Sequence, residues 1–450
     1  MKQQAIAVAV ATAFCGAARA QSNEELKATL DAALKTIQQL QARVQALEQQ
    51  RPVAAAPQAA PASAAAGVAG APVVSVATQA EAGTPNADKA RVELYGQAML
   101  DAMYDFKRMD PEWNATLRPS KIPVSCPGSV GCGKDGATVF SVRQSGLGLR
   151  AFIPTALGEI KTDLAFDLFG TDGTTSIHWL RAWAELGSFG IGQTDSNFMD
   201  IDVFPNTIDY WGPSGMVFVR HPQLRFTPYR KNAMTVAFSL EAPNSVLDTG
   251  KLTEVDPALG AGITGHNRLP DVVGSFRFDA DWGHAKAAAI VRQVGYQNTS
   301  AADGRPSGTR TGYGINLTGA LNVFGKDRLT WQLAAGRAIA TYMNDGGVDL
   351  APNASLQAET VTSLGWLLYY NHAWSEQWSS AFGYSEHQQN NTDGQLGSAF
   401  HRGSYSSVNV LYAPVKNVLT GGELVWGQLK TKDGASAPDY RFQFSTKVTF

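Results

Sequence analysis

Long apolar runs are missing from this 450-residue sequence. After the short stretch Ala5 to Phe14, nothing approaches the roughly 18 consecutive apolar residues that a membrane helix needs, so a helical membrane protein is excluded. Charge is also sparse, at 17% Asp, Glu, Lys and Arg, and the net value of −2 singles out no partner; no nucleic acid is expected. Signs of an active centre are lacking too, with neither a metalloprotease helix nor a nucleophile elbow. Gly128 to Lys134 fits the Gly-x4-Gly-Lys frame of a phosphate loop, but Asp135 stands where Ser or Thr is required. The sequence therefore predicts no enzyme, no cofactor and no metal.

What is present begins with an export signal. Lys2 supplies the positive start, Ala5 to Phe14 the apolar segment and Ala18-Arg19-Ala20 a small-x-small cleavage site, so residues 1–20 read as a signal peptide. Cys15 does not mark a lipid anchor, because Phe14 occupies a position that needs a small residue. Cys126 and Cys132 then lie in an oxidising compartment with no histidine nearby, and a disulfide is the preferred reading over a metal pair.

Residues 21–50 carry Leu26, Leu30, Ala33, Ile37, Leu40, Val44 and Leu47 at alternating steps of four and three, the narrow seam of a coiled coil. So short a coil is marginal alone, which implies tethering to an oligomer. Residues 51–90 turn to Ala, Pro, Val and Gly, a semi-extended linker. From residue 91 the period becomes two. Sixteen strands are expected between 91–104 and 438–450, including 215–229 and 328–340, with connections that alternate short and long. In the last one, Tyr440, Phe442, Phe444, Thr446, Val448 and Phe450 share one face, and Arg441, Gln443, Ser445, Lys447 and Thr449 the other. An exported chain of amphipathic strands predicts an all-β fold, a 16-stranded antiparallel transmembrane barrel over 91–450 in a bacterial outer membrane. An even strand count places both ends, and the coil, on the periplasmic side.

Parity also sorts the charges. Arg181 and Glu185 alternate with Leu180, Ala182, Ala184 and Leu186; Arg150 follows Leu147 and Leu149; Arg225 lies between Leu224 and Phe226. All point to the lumen, together with Trp179 and Trp183. Arg143 and Arg220 conflict with their neighbours and require a bulge or the rim. The third long connection, 195–214, mixes Asp195, Asp200, Asp202 and Asp209 with bulky aromatics, a composition suited to a loop folded into the lumen. Arginines facing acids across a constriction would set up a transverse field and favour anions. The simpler role for each arginine is to pair with lumen acids for stability.

The stretch Leu180 to Gly192 (LRAWAELGSFGIG), the acid-bearing third loop and the terminal Phe450 resemble trimeric bacterial porins. The whole layout of signal, coil, linker and barrel resembles the DcaP-like porin family. That resemblance implies a homotrimer for uptake of small anions such as dicarboxylates, with Arg181 and Arg150 at basic wall positions. It also implies that Phe450 is recognised by the barrel-insertion machinery. Outer-membrane lipid and lipopolysaccharide are the expected surroundings. Gly146 stands where porins commonly carry a basic residue. Two other readings are a sugar porin, which predicts a track of lumen aromatics, and a structural tether whose coil contacts the cell wall.

Overall fold

The computed structural model describes residues 74–75, 89–125 and 132–450; the expected signal peptide and coil, almost all of the linker, and Cys126 lie outside them. Sixteen staves follow one another. They are β1 (Arg91–Asp105), β2 (Ala137–Ser141 and Gly146–Thr155), β3 (Gly158–Phe169), β4 (Thr175–Leu186), β5 (Phe189–Asp195) and β6 (Arg220–Lys231). Next come β7 (Met234–Glu241), β8 (Asp271–Ala280), β9 (Gly283–Asn298), β10 (Gly308–Asn322) and β11 (Arg328–Arg337). The last five are β12 (Thr362–Ala373), β13 (Trp378–Asn390), β14 (Phe400–Val415), β15 (Val418–Thr431) and β16 (Ser436–Thr449). No described helix is long and apolar enough to cross a membrane.

Each stave pairs antiparallel with the next, and β1 pairs with β16 from Gln97↔Thr449 to Asp105↔Arg441, so the sheet closes on itself. Gly96 and Phe450 complete the seam by exchanging backbone hydrogen bonds of 3.0 and 3.1 Å. Closure leaves no unpaired edge in lipid. Alternation in the last stave is as expected: Arg441 and Gln443 are fully buried, whereas Phe442 and Phe444 remain about half exposed on the outer face.

The seven connections at 156–157, 187–188, 232–233, 281–282, 323–327, 374–377 and 416–417 are all short and lie at the end of the barrel where β1 starts and β16 stops; the opposite end mixes the short connections 170–174 and 432–435 with long loops. The turn after β6 lies at Asn232-Ala233, beyond residue 229, the expected end of that strand. Both carry positive φ, 50° and 66°, the twist that a two-residue hairpin demands. β6 itself begins at Arg220, not at 215, because residues 214–217 are buried inside the barrel and bonded to other staves. β11 likewise stops at Arg337, where the chain turns into a short helical turn, Ala340–Tyr342.

Loops from the opposite end fill much of the lumen. Phe198 and Met199 from the β5–β6 loop pack with Tyr342 and Met343 from the β11–β12 loop against Ile290 and Ala334 of the wall. A second cluster joins Leu117, Val203 and Met216 to inward-facing Leu367, Tyr369 and Tyr405. The hydrophobic core of this barrel is thus made by its loops.

A candidate pore beside an inserted loop

The loop at 196–219 crosses the lumen because the wall offers it fixed partners on both sides. At its start, Ser196 Oγ and the Asn197 amide donate to Glu241 at 2.7 and 2.8 Å. Lys286 Nζ and Asn316 Nδ2 then donate to the carbonyls of Met199 and Phe198 at 2.6 and 2.8 Å. At its far reach, the amides of Ile208 and Asp209 donate to Glu423 of β15 at 3.2 and 3.1 Å. Backbone polar groups that leave a sheet inside a membrane need such replacements. Arg118, from the β1–β2 loop, holds the assembly from above: its guanidinium stacks 3.7 Å from the Trp211 ring centroid and pairs with Asp345 at 2.9 Å.

Between this loop and staves β1 to β6 remains a cavity of about 750 Å³, lined among others by Arg150, Arg181, Arg220, Asp202, His178 and Tyr210. Its wall carries a ladder of charge. Arg150 and Arg181 each approach Asp163 at 3.7 Å; Arg181 also reaches Asp195 at 3.2 Å, and Arg220 reaches the same carboxylate at 2.8 Å. Arg225 donates to the Asp195 carbonyl and lies 5.5 Å over the Trp183 ring. Three guanidinium groups therefore share two carboxylates along this wall, and a fourth, Arg225, holds the backbone of Asp195. Their geometry depends on a close approach: Tyr95 donates its hydroxyl to Asp163 while its ring lies over Gly148, where any Cβ would fall 2.1 Å from Tyr95 Cζ.

The expected residues are brought together unequally. Arg150, Arg181, Arg220, Arg225 and Asp195 form the ladder, and Asp202 lines the same cavity from the loop. Asp200 turns away. It is buried on the opposite side with His284 at 2.9 Å, Thr318 at 2.5 Å and Arg277 at 3.4 Å. Burial pushes its carboxyl up, but the His284 hydrogen bond and the Lys286 charge outweigh this and hold it below the ordinary carboxylate range. Asp200, Asp202 and His284 place possible ligand atoms within 4.8 Å of one another. Arg277, 2.6 Å from Asp202, already supplies positive charge there.

Glu185 lies apart from the ladder and pairs with Arg230 at 3.1 Å. Arg143 has the bulge that its parity required: β2 is interrupted at 142–145, and Arg143 Nε donates to Thr175 Oγ1 at 3.1 Å. Trp179 does not face inward. Ala165 pairs with Arg181 but Phe166 with Trp179, so Leu180 is an extra residue that reverses parity and leaves Trp179 54% exposed on the outer wall. Gly146 has no room for a side chain, since a Cβ would sit 2.6 Å from the Phe166 carbonyl oxygen. The bridge expected between Cys126 and Cys132 lies outside the described residues on its Cys126 side.

Residues that sequence reasoning missed are Asp163, Tyr95, Arg277 and Lys286. Asp163 was accessible by parity, because it alternates with the outward Leu164. Arg277 and Lys286 sit on β8 and β9, two and three staves past Arg225 on β6, and no local pattern ties them to the loop.

Residues 8–248 match the DcaP outer membrane protein family, and residues 143–449 match a porin subfamily. No curated protein matches the sequence. Among solved structures, the outer membrane channel DcaP of Acinetobacter baumannii is similar at 22% identity and a TM-score of 0.70, over 82% of this chain and 100% of that one. An anion-selective porin from Comamonas acidovorans is similar at 13% identity and a TM-score of 0.50, over 80% of this chain and all of that one.

Proposed function

The chain belongs to the DcaP outer membrane protein family, and from that premise we propose that it is a homotrimeric porin admitting small anionic, dicarboxylate-like solutes by passive diffusion. The observation that carries this reading is the ladder on one wall of the cavity, where the guanidinium groups of Arg150, Arg181, Arg220 and Arg225 outnumber the carboxylates of Asp163, Asp167 and Asp195. In a narrow, low-dielectric passage such an excess attracts anions and stays effective in salt better than an exposed patch does. The planar fork of arginine can also hand a carboxylate from one rung to the next through paired hydrogen bonds. Asp202, on the loop side, supplies the opposite sign that orients a dipolar solute. An anion-selective porin of the same barrel fold supports the direction of the charge preference.

Within this reading residues 1–20 direct export, 21–50 form a periplasmic coil that keeps three protomers together, and 51–90 space the coil from the barrel. A Cys126–Cys132 bridge restrains the first long loop, and Phe450 is the signal read by the insertion machinery. The sugar-porin alternative loses Trp179, which faces outward, but keeps Tyr95, Tyr210 and Trp211 around the cavity. Liposome swelling is the discriminating test. Vesicles carrying the purified protein should swell faster in a small dicarboxylate than in a neutral sugar of similar size. Equal rates, or faster swelling in the sugar, would overturn the anionic-solute reading.

A further inference from the structure

The outer wall carries a second built feature, unrelated to the pore. Staves β12 to β15 hold a trough of about 900 Å³ on their outward face, its lining almost wholly apolar. Register resolves it into rows. Tyr370, Phe382, Val408 and Leu424 form one row of cross-strand partners, and Leu368, Tyr384, Ser406 and Trp426 the next. Tyr384 and Trp426 flank the small Ser406 with ring centroids 6.3 Å apart. One row further toward the long-loop end the residues are Trp366, Glu386, Ser404 and Gln428; in the row beyond, they are Leu364, Gln388, Arg402 and Lys430.

Rows on one face repeat about every 7 Å, so the two cations lie about 14 Å along the staves from Ser406. The wall thus grades from hydrocarbon through neutral polar groups to adjacent positive charges. Glu386 is the acid facing them. It accepts from Tyr384 and Ser404 at 2.9 and 3.1 Å and approaches Arg402 only to 3.7 Å. Among the described residues no carboxylate pairs with Lys430. That leaves net positive charge where an apolar groove reaches the membrane surface, the complement of a lipid with an anionic headgroup.

We propose that this trough binds one phosphate-bearing lipid of the outer leaflet, an acyl chain lying along the outer surface of Tyr384, Ser406 and Trp426, its phosphate on Arg402 and Lys430. The inference rests on the outward face of β12 to β15 and on the orientation of the barrel, and it is independent of the solute. Removing both cations should weaken binding roughly 30-fold, about fivefold for each.

The test is native mass spectrometry of the full-length, detergent-extracted protein titrated with diphosphorylated lipid A, or with the same glycolipid stripped of phosphate. Wild type should retain one phosphorylated lipid per protomer and far less of the stripped form. R402Q/K430Q should lose the preference, and S406W should lose the lipid with oligomer mass and bilayer conductance unchanged. Equal binding of the stripped lipid, or undiminished binding by R402Q/K430Q, would overturn the proposal. Dissociation of the S406W oligomer would overturn it as well, by making this face a contact between copies. Failure of the pore reading would appear separately, as altered selectivity with lipid binding intact.

Discussion

The two halves of the lumen are built from opposite materials. Across β9 to β15 the barrel is packed: Phe198, Met199 and Tyr342 from two loops lie on Ile290 and Ala334, and Val203 meets Leu367 and Tyr405. Along β1 to β6 it is open and charged, with Arg150, Arg181 and Arg220 around a cavity of about 750 Å³. One half behaves as the core of a soluble protein and the other as a channel wall. A sixteen-stranded barrel is too wide to discriminate small solutes by itself, and filling one side with loops narrows the passage while pressing solute against the arginines. The packed half gives stability and the open half selectivity, so substitutions in the two should have separable effects.

Phe198 offers the sharpest break, being wholly buried in the packed half. Its replacement by Ala should cost about 4 kcal/mol, read as a shift in the denaturant midpoint of protein folded into vesicles. Trp183→Ala in the partly exposed open half should cost less than about 2 kcal/mol. Equal losses would erase the distinction between the halves.

Glu423 fastens the loop from the packed side. Glu423→Ala leaves the amides of Ile208 and Asp209 without their acceptor, at a cost of roughly 3 kcal/mol. Single-channel traces should become noisier as the loop tip comes loose. Glu423→Gln keeps one acceptor oxygen but turns an amino group toward the other donors, so it should recover only part of the loss.

Gly146 tests the limits of the open half. Gly146→Lys would add the basic residue that the resemblance to porins leads one to expect there, but its Cβ meets the Phe166 carbonyl oxygen at 2.6 Å. Destabilisation of about 2 kcal/mol and a lower folded yield should result. A normal yield with raised anion selectivity would show that β2 and β3 can separate there.

Joint replacement of Arg150, Arg181 and Arg220 by Ala would leave Arg225 facing Asp163 and Asp195 on that wall. The ratio of anion to cation permeability should fall about tenfold, which corresponds to about 1.4 kcal/mol. The denaturant midpoint should move far less than for Phe198→Ala, since these side chains are part-exposed and line solvent.

How much of this was legible in the sequence follows the same division. The staves were readable because lipid and water impose a period of two, and the closing pair β1–β16 was readable from the alternation at 440–450. Arg150, Arg181 and Arg225 were assigned to the lumen by parity alone. Parity failed at Trp179, where one extra residue in β4 turned the ring outward. It was silent about the packed half. Nothing local in Arg277, His284 or Glu423 announces a partner on a loop dozens of residues away, and the positions of Asp200 and Asp209 depend on those partners. A loop core is specified by tertiary contacts, whereas a stave is specified by its own solvent.

The zero-current potential of the wild-type channel in a planar bilayer, held between two concentrations of potassium chloride, bears most directly on the arginine ladder. The account predicts a potential of the sign set by chloride crossing faster than potassium. A potential of the opposite sign, with potassium crossing faster, would contradict it.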